Sequence, residues 1–248
     1  RGPGAARNTA LDVAQGRWFT PLDADDEWLP ERLERLVDEA DNAGDGYFIA
    51  DDLLVCFDTP AGLKPWDSWH RRYNRLTVRS YLDFTLADWL RLRVPGMVPL
   101  VPLGAIKEAG LTYHNTCSFG EDFELYCRLF RAGLTLRLIG EAYYLYRLTP
   151  GSLTRRADRV TQLGGVYSRL MALPDLTAEE RVALERWFRS QQLELQWCTF
   201  ADALKRRNWL EAMCLGIKRP YLPVMLLFRL RRAIRYWLVA RRIGTLAA

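Results

Sequence analysis

Residues 19–33, FTPLDADDEWLPERL, place three aspartates between an apolar segment and a predicted helix. Asp23, Asp25 and Asp26 lie within four residues, and carboxylates this close repel one another unless a cation or hydrogen bonds compensate. The apolar segment, Trp18–Leu22, predicts a buried strand. The aspartates are therefore expected at the C-terminal end of a strand, which is where open α/β sheets bind their ligands.

The pattern of apolar residues predicts an α/β protein with a helical C-terminal part. Strand and helix patterns alternate up to about residue 150, and from Val160 onward the apolar spacing is helical. The 248 residues, 49% of them apolar, suffice for one large domain or for a domain with a helical extension. We predict an α/β domain over residues 1–155 and a helical, basic extension over residues 156–248.

Charge is distributed unevenly along the chain. Residues 1–150 carry 17 basic and 22 acidic side chains, whereas residues 151–248 carry 18 basic and 8 acidic ones. Such an asymmetry indicates chemistry in the first part and contact with an anionic surface in the second. Eight of the basic residues lie in Lys218–Arg242, where several apolar residues can share one helical face. These are Leu226, Leu227, Leu230, Ile234, Trp237 and Leu238, flanked by Arg229, Arg231, Arg232, Arg235, Arg241 and Arg242.

This C-terminal segment predicts a basic amphipathic helix that lies on an anionic membrane leaflet. The alternative is a helix packed on the first domain with a solvated basic edge. A nucleic-acid partner is not expected, because no recognised binding module accompanies the charge. The longest apolar run, Tyr221–Phe228, is too short to span a bilayer, so we expect a peripheral position.

Divalent metal binding is one interpretation of the three aspartates. A D-x-D at a strand end lets Asp23 and Asp25 share one Mg²⁺ or Mn²⁺, which takes oxygen ligands and is usually completed by water and phosphate. The alternative is a structural turn, in which Asp26 caps the chain and Asp23 bonds to backbone. A zinc site is not expected, because the only two histidines, His70 and His114, lack ligand spacing.

An acidic pair follows Gly120 at the start of another predicted helix. Glu121 and Asp122 lie where the helix dipole favours anions, and a carboxylate at this place could act as a general base. Ordinary charge at the N-terminal end of a helix explains the pair equally well when it is considered alone.

Two further segments combine basic or polar side chains with glycine. Gly4–Asn8, GAARN, brings small residues and an arginine to a predicted helix start, a place that attracts phosphate. Tyr146–Thr154, YRLTPGSLT, follows a predicted strand, and its Arg147 and Ser152 could reach a diphosphate. A capped helix with a surface arginine and a simple turn are the structural alternatives.

The order and spacing of these segments resemble the family-2 inverting glycosyltransferases of the GT-A fold. GxARN, LDADD, GEDFEL and YRxxPGS follow one another within residues 2–155. The pairing of G-x-A-R-N with L-D-x-D-D-x-W-x-P-x-R-L is rather specific to that family. The likeness is greatest to bacterial enzymes that build exopolysaccharide or other surface glycans. The resemblance implies a mixed, Rossmann-related sheet flanked by helices.

The resemblance also implies a mechanism. Asp23 and Asp25 would hold a Mg²⁺ or Mn²⁺ that bridges the diphosphate of a nucleotide sugar. Asp122, with Glu121 as its neighbour, would be the catalytic base that deprotonates an acceptor hydroxyl. The reaction would be a single in-line displacement at the anomeric carbon, aided by the metal at the leaving diphosphate.

Substrate contacts are implied in the same way. The nucleotide-sugar site is expected to comprise Ala6, Arg7, Asn8, Asp23, Ala24, Asp25 and Asp26. Arg147 and Ser152 are expected to contact the diphosphate. The acceptor side is expected to include Trp66, Trp69 and Gly120, although the loop from Trp66 to Arg72 could equally be a packed flap.

The sequence also departs from the family pattern. Family members usually begin with further strands and helices that bind the nucleoside base, and the sequence as given lacks them. Many members carry a histidine after the Tyr-Arg pair, where Thr149 stands here, so only aspartate and water ligands are expected for the metal. No Q-x-x-R-W follows GEDFEL, which favours transfer of one sugar over processive synthesis.

The sequence therefore predicts a glycosyltransferase in surface polysaccharide synthesis. It would move one sugar from a nucleotide-diphosphate sugar, with a UDP-sugar expected, to a glycan or lipid-linked acceptor at the inner, cytoplasmic face of a bacterial plasma membrane. An inactive or truncated scaffold on the membrane is one alternative, favoured by the missing N-terminal part. Another metal-dependent nucleotide-phosphate enzyme is a second alternative, but it would need a glycine-rich, Lys- or Arg-bearing loop at the first strand.

Overall fold

The computed structural model describes residues 2–74, 76–92, 96–115, 119–148 and 159–230. The strands are β1 (Trp18–Phe19), β2 (Glu27–Trp28), β3 (Tyr47–Thr59), β4 (Gly62–Ser68), β5 (Tyr81–Phe84), β6 (Val101–Pro102) and β7 (Thr135–Arg147). The helices are α1 (Gly2–Val13), α2 (Arg32–Ala43), α3 (Leu86–Leu92), α4 (Leu103–Glu108), α5 (Glu121–Arg131), α6 (Arg159–Met171), α7 (Ala178–Lys205) and α8 (Trp209–Lys218). Residues 221–230 are helical as well.

A mixed sheet in the order β2-β7-β3-β4 forms the centre of the fold. β3 and β7 are parallel, whereas β2, β4 and β5 pair antiparallel with their neighbours. The sequence pattern predicts two strands, over residues 134–139 and 142–147, where the structure has the single continuous strand β7. The strand passes through Gly140, where the carbonyl oxygen of Val78 would lie 2.4 Å from a Cβ, so a larger residue would not fit at this point. The predicted α/β class with a mixed sheet flanked by helices is confirmed.

The stretch from residue 19 to residue 33 folds into shorter elements than its pattern predicts. β1 contains two residues and pairs antiparallel with β6. Pro21 then follows, and proline has no backbone N–H to donate to a sheet. The aspartates form a tight turn in which the N–H of Asp26 donates to the carbonyl of Asp23 at 3.0 Å. β2 comes directly after this turn, so the turn lies at the end of the central sheet beside β7.

A buried ion pair fixes α2 to the sheet. Arg32 and Asp51 are both fully buried, and Nη2 of Arg32 donates to Oδ1 of Asp51 at 2.9 Å. The other carboxylate oxygen accepts the backbone N–H of Tyr143 on β7 at 2.9 Å. Leu33, which the helical spacing assigns to the apolar face of α2, is 44% exposed. The helix therefore presents the arginine to the interior and leaves this leucine outside.

The helical part of the chain packs on the sheet domain through aromatic rings. The Trp187 ring of α7 stacks on Phe123 of α5 with ring centres 3.9 Å apart. Phe123 in turn stacks on Trp89 of α3 at 5.0 Å. α6 and the first half of α7 thus share the main apolar core with the sheet. The predicted boundary between residues 155 and 156 lies outside the described residues, and the two-domain division stays a prediction.

The second half of α7 belongs to another apolar cluster. Trp197 and Phe200 of α7 pack with Ala212 of α8 and with Leu222 of the helical residues 221–230. Within the described ranges, none of the helices is long and apolar enough to cross a membrane.

Candidate active site

Arg7 joins three segments that are far apart in the sequence. It projects from α1, and its Nη2 donates to Oδ1 of Asp23 at 2.8 Å. Its Nη1 donates to Oε1 of Glu121 at 2.7 Å. The guanidinium group is mostly buried, whereas the Asp23 carboxylate stays 45% exposed. The GAARN, LDADD and GEDFEL segments therefore meet at one place, as the sequence predicts for a common site.

The acidic pair lies in the first turn of α5, directly after a glycine in a left-handed conformation. Gly120 has φ +86°, and a Cβ at this residue would lie 2.7 Å from Leu163. This backbone turn points the helix N-terminus toward Arg7 and makes glycine necessary. The backbone N–H of Phe123 donates to Oδ1 of Asp122 at 2.6 Å. Asp122 is partly buried, and Glu121 is buried.

Burial of the acidic pair changes its protonation. Removal from water raises the pKa of Glu121 to about 7, with the neighbouring carboxylate of Asp122 acting in the same direction. Burial likewise raises the pKa of Asp122, and the guanidinium of Arg7 opposes the rise. Carboxylates with pKa values brought toward neutrality suit general base catalysis, because they combine an ionised state with adequate basicity.

Hydrogen bonds from β7 hold the turn that carries the D-x-D. Asp26 is buried, and its Oδ2 accepts the hydroxyl of Tyr144 at 2.9 Å. Its Oδ1 accepts the backbone N–H of Arg147 at 2.8 Å. Burial raises the pKa of Asp26 to about 6, which these two hydrogen bonds oppose. Asp26 therefore supports the turn, while Asp23 is partly exposed and Asp25 is exposed.

The aspartate turn fits a cation that substrate and water complete. Both carboxylate oxygens of Asp26 are used within the protein, which leaves Asp23 and Asp25 as the oxygen ligands that Mg²⁺ or Mn²⁺ would take here. One oxygen of Asp23 already accepts from Arg7. In the part of the chain that the structure describes, no three His, Cys, Asp or Glu side chains are grouped to bind a metal alone. Metal binding at this turn stays a prediction.

Two of the other residues expected at the nucleotide sugar have structural contacts. The side chain of Asn8 donates to the carbonyl of Tyr113 at 2.8 Å and accepts the backbone N–H of the same residue at 2.8 Å. It thereby fixes the segment before α5 to α1. Nε of Arg147 donates to the carbonyl of Asp25 at 2.7 Å, and its Nη1 is 2.9 Å from a carboxylate oxygen of Asp58. Ala6 and Ala24 are exposed. Their roles in binding stay predictions, and Ser152 lies outside the described residues.

The residues expected on the acceptor side pack against protein. The sequence predicts a loop from residue 60, but Trp66 lies on β4, with the guanidinium carbon of Arg72 3.7 Å from its ring centre. Trp69 contacts the Tyr146 ring at 5.3 Å between ring centres. Gly120 is buried against α6. Both tryptophans remain partly exposed, so the acceptor role also stays a prediction.

Sequence reasoning missed three residues that support the site. Glu124 is buried one turn after the acidic pair, and its Oε2 accepts Nη2 of Arg169 on α6 at 2.6 Å. The Tyr113 ring lies 5.4 Å from the guanidinium carbon of Arg7. Tyr144 bonds the aspartate turn. Glu124 belongs to the quoted GEDFEL segment and carries a charge on a buried helix face, a signal that could have found it. The two tyrosines give no such signal.

Comparisons with known proteins bear on the resemblance seen in the sequence. Residues 1–96 match the sequence model of glycosyl transferase family 2, which confirms the resemblance seen in the sequence. The chain is 26% identical over 242 residues to the succinoglycan biosynthesis protein ExoO of Rhizobium meliloti (strain 1021), covering 94% of this chain and 68% of the relative. It is 25% identical over 233 residues to ExoU of the same strain, covering 89% and 65%.

Solved structures of Staphylococcus aureus TarS share the fold. The complex of TarS 1–349 with UDP-GlcNAc has a TM-score of 0.54 at 15% identity, covering 81% of this chain and 53% of that one. The structure of TarS 1–349 alone has a TM-score of 0.53, covering 75% and 49%. The chain thus spans about two thirds of the length of its curated relatives and about half of TarS 1–349.

Proposed function

We propose that this protein transfers one sugar from a nucleotide-diphosphate sugar, a UDP-sugar, to a glycan or lipid-linked acceptor, with inversion at the anomeric carbon. The observation that carries the proposal is the Arg7 bridge, which brings the D-x-D carboxylate Asp23 to the acidic pair at Glu121. A donor diphosphate at the aspartate turn would therefore lie beside a carboxylate able to accept a proton.

In the proposed mechanism Asp122 removes the proton from the acceptor hydroxyl as the oxygen attacks the anomeric carbon. Its Oδ1 is fixed by the Phe123 N–H, so the carboxylate is oriented before the acceptor binds. Arg7 holds Asp23 and Glu121 in place and spreads positive charge between them. Asp23 and Asp25 would hold Mg²⁺ or Mn²⁺, which would stabilise charge on the leaving diphosphate.

The relatives support this chemistry and suggest its setting. Similar chains carry the name of succinoglycan biosynthesis proteins, and the TarS fold has been solved with UDP and with UDP-GlcNAc. We propose a role in bacterial surface polysaccharide synthesis, with the enzyme peripheral to the inner face of the plasma membrane. A lipid-linked acceptor would explain the excess of basic residues after residue 150.

Nucleotide titration tests the proposed site. We expect UDP to bind the full-length protein in the presence of Mn²⁺ and to bind at least tenfold more weakly, on the order of one charge-assisted contact, after Asp25→Ala or without metal. Isothermal titration calorimetry measures both. Asp45→Ala is the matched control, since Asp45 is an exposed aspartate next to α2.

Failure of the intact, folded protein to bind UDP, GDP or dTDP would overturn this proposal. The aspartate turn would then be structural, and the scaffold alternative would stand. Equal metal dependence in Asp25→Ala and in the unmodified protein would assign the cation to other residues.

The pH profile should report the buried acidic pair. The proposed base, Asp122, works only when ionised, and burial raises the pKa of this carboxyl. We therefore expect kcat/KM to begin falling at a higher pH than an ordinary aspartate would allow, by about tenfold per unit below that pKa. An enzyme whose base was a carboxylate of ordinary pKa would keep its full activity down to about pH 5. Initial rates between pH 5 and pH 9, with UDP affinity measured at each pH as the control, separate loss of the base from loss of donor binding. A flat profile down to pH 5 would contradict the assignment.

A further inference from the structure

The outward face of α8 is apolar although it faces solvent. Ile217 is 74% exposed, and the other large side chains of this face, Trp209, Leu210 and Met213, are each more than half exposed. Their spacing of three or four residues places them on one side of the helix. The opposite side, with Ala212 and Leu215, packs on α7. α8 therefore presents a continuous apolar stripe that the described residues leave uncovered.

Helical residues 221–230 extend this apolar surface. Leu222, Met225 and Leu226 face α7, and Nη1 of Arg229 donates to Oε1 of Glu194 on α7 at 2.9 Å. Val224, Leu227 and Phe228 point outward, with Leu227 and Phe228 each 65% exposed. The sequence assigns Leu226 and Leu227 to one face and Arg229 to its polar flank. In the structure the two leucines are divided between the inner and outer sides, and the arginine turns inward.

An apolar groove lies between α8 and the C-terminal part of α7, and Pro223 at the start of the following helical residues completes it. Its volume is about 470 Å³, and it is lined by side chains that include Leu204, Trp209, Met213, Ile217 and Pro223. Gly216 also lines the groove, and a Cβ there would be in contact with Pro223 at 3.4 Å. A groove of this size and chemistry is suited to a hydrocarbon chain rather than to a polar ligand.

Basic residues flank α8 in the sequence. Arg206 and Arg207 precede α8, and Lys218 and Arg219 follow it. Residues 205–230 contain six basic side chains and one acidic side chain. An exposed apolar face with basic residues at its edges is the pattern of a surface that binds anionic lipid.

We propose that the outward faces of α8 and of residues 221–230 form a docking surface that inserts into an anionic lipid bilayer. Trp209, Met213, Ile217 and Leu227 enter the boundary between headgroups and acyl chains, while the arginines and lysines at the edges contact lipid phosphates. The inference rests on the proposed function only for its purpose, which is to bring the site to a membrane-borne acceptor.

The charges favour lipid over a second copy of the chain. A symmetric pair that buried this face would bring the same basic edges together, and like charges in contact destabilise an interface. An anionic bilayer instead offers opposite charge at the rim and hydrocarbon at the centre. An anionic bilayer therefore complements both the apolar centre and the basic edges of the proposed docking surface.

Vesicle flotation of the full chain, without donor or acceptor, tests the docking surface. We expect binding to phosphatidylcholine vesicles that contain about one third phosphatidylglycerol, and little binding to phosphatidylcholine alone. Ile217→Gln and Leu227→Gln should each lower the partition coefficient about tenfold. Val13→Gln is the matched control, because Val13 is 73% exposed on α1 and outside this face. Lys218→Gln should reduce binding less and mainly at low salt.

Several outcomes would overturn the proposal. Equal vesicle binding by Ile217→Gln and the unmodified protein would do so, as would an equal loss in Val13→Gln. A dimer seen by light scattering that Ile217→Gln dissociates would assign the face to a second copy. UDP titration separates the two proposals, and Ile217→Gln should bind UDP as the unmodified protein does. If the unmodified protein binds vesicles but does not bind UDP, the docking surface stands and the glycosyltransferase proposal is removed.

Discussion

Asp122→Asn is expected to lower kcat about a thousandfold while UDP affinity changes by no more than about twofold, because a general base contributes two to four orders of magnitude to the rate. The amide keeps the size of the side chain and still accepts the Phe123 N–H, so α5 should begin as before. Single-turnover rates of sugar transfer and UDP titration on the same preparation provide the measurement.

Two further variants locate the effect. Glu121→Gln keeps a hydrogen bond to Arg7 but loses its charge, and we expect a fall in kcat of about tenfold. Asp45→Asn changes an exposed aspartate far along the chain from the acidic pair and should leave the rate unaltered. A kcat in Asp122→Asn within threefold of the unmodified enzyme, on the order of a lost weak contact, would place the base elsewhere.

Arg32→Met should be the most destabilising single substitution on α2, with an expected loss of about 3–5 kcal/mol in the free energy of unfolding. The change leaves the carboxylate of Asp51 fully buried without its cation. It also removes the guanidinium that lies 4.8 Å from the Trp28 ring and 5.1 Å from the Tyr144 ring. Urea unfolding followed by circular dichroism measures the loss.

Arg35→Met on the same helix is the matched control. Arg35 donates to Glu141 at 3.0 Å, but both side chains are more than one third exposed, and such pairs contribute less than about 1 kcal/mol. Where Arg32→Met fails to fold, the double variant with Asp51→Asn should recover folding in part, because the neutral amide still accepts the Tyr143 N–H. An Arg32→Met variant as stable as Arg35→Met would refute the expectation.

The fold class and the acidic residues could be predicted from local sequence, and their support could not. Asp23 and Asp25 can be found in the sequence because they follow an apolar segment, and Glu121 and Asp122 because they follow a glycine at a predicted helix start. Asp26 shows the limit: the same three aspartates do not tell which is bonded inward, since its partners lie on β7 more than a hundred residues away.

The prediction of which residues of α2 face the interior was wrong for a related physical reason. The helical spacing of apolar residues predicts that Leu33 is buried. In the structure Arg32 is buried instead, because the buried carboxylate of Asp51 is stabilised only when a cation pairs with it. The strand predicted over residues 18–22 is shorter in the structure, since Pro21 has no backbone N–H with which to continue the pairing. The spacing of apolar residues in α8 can be seen in the sequence. The sequence alone does not tell which side of the helix is covered by its neighbours.

α7 contributes to both apolar clusters, since Trp187 stacks within the main core and Trp197 packs with α8. The helix contains 28 residues and is therefore roughly 40 Å long. If the proposed docking surface binds lipid, this helix, packed through its first half on α5 and through its second half on α8, would hold Asp122 at a fixed distance from the bilayer. It would set how far above a bilayer the reactive hydroxyl must extend, so the reach of the acceptor from its membrane anchor becomes a criterion of substrate choice.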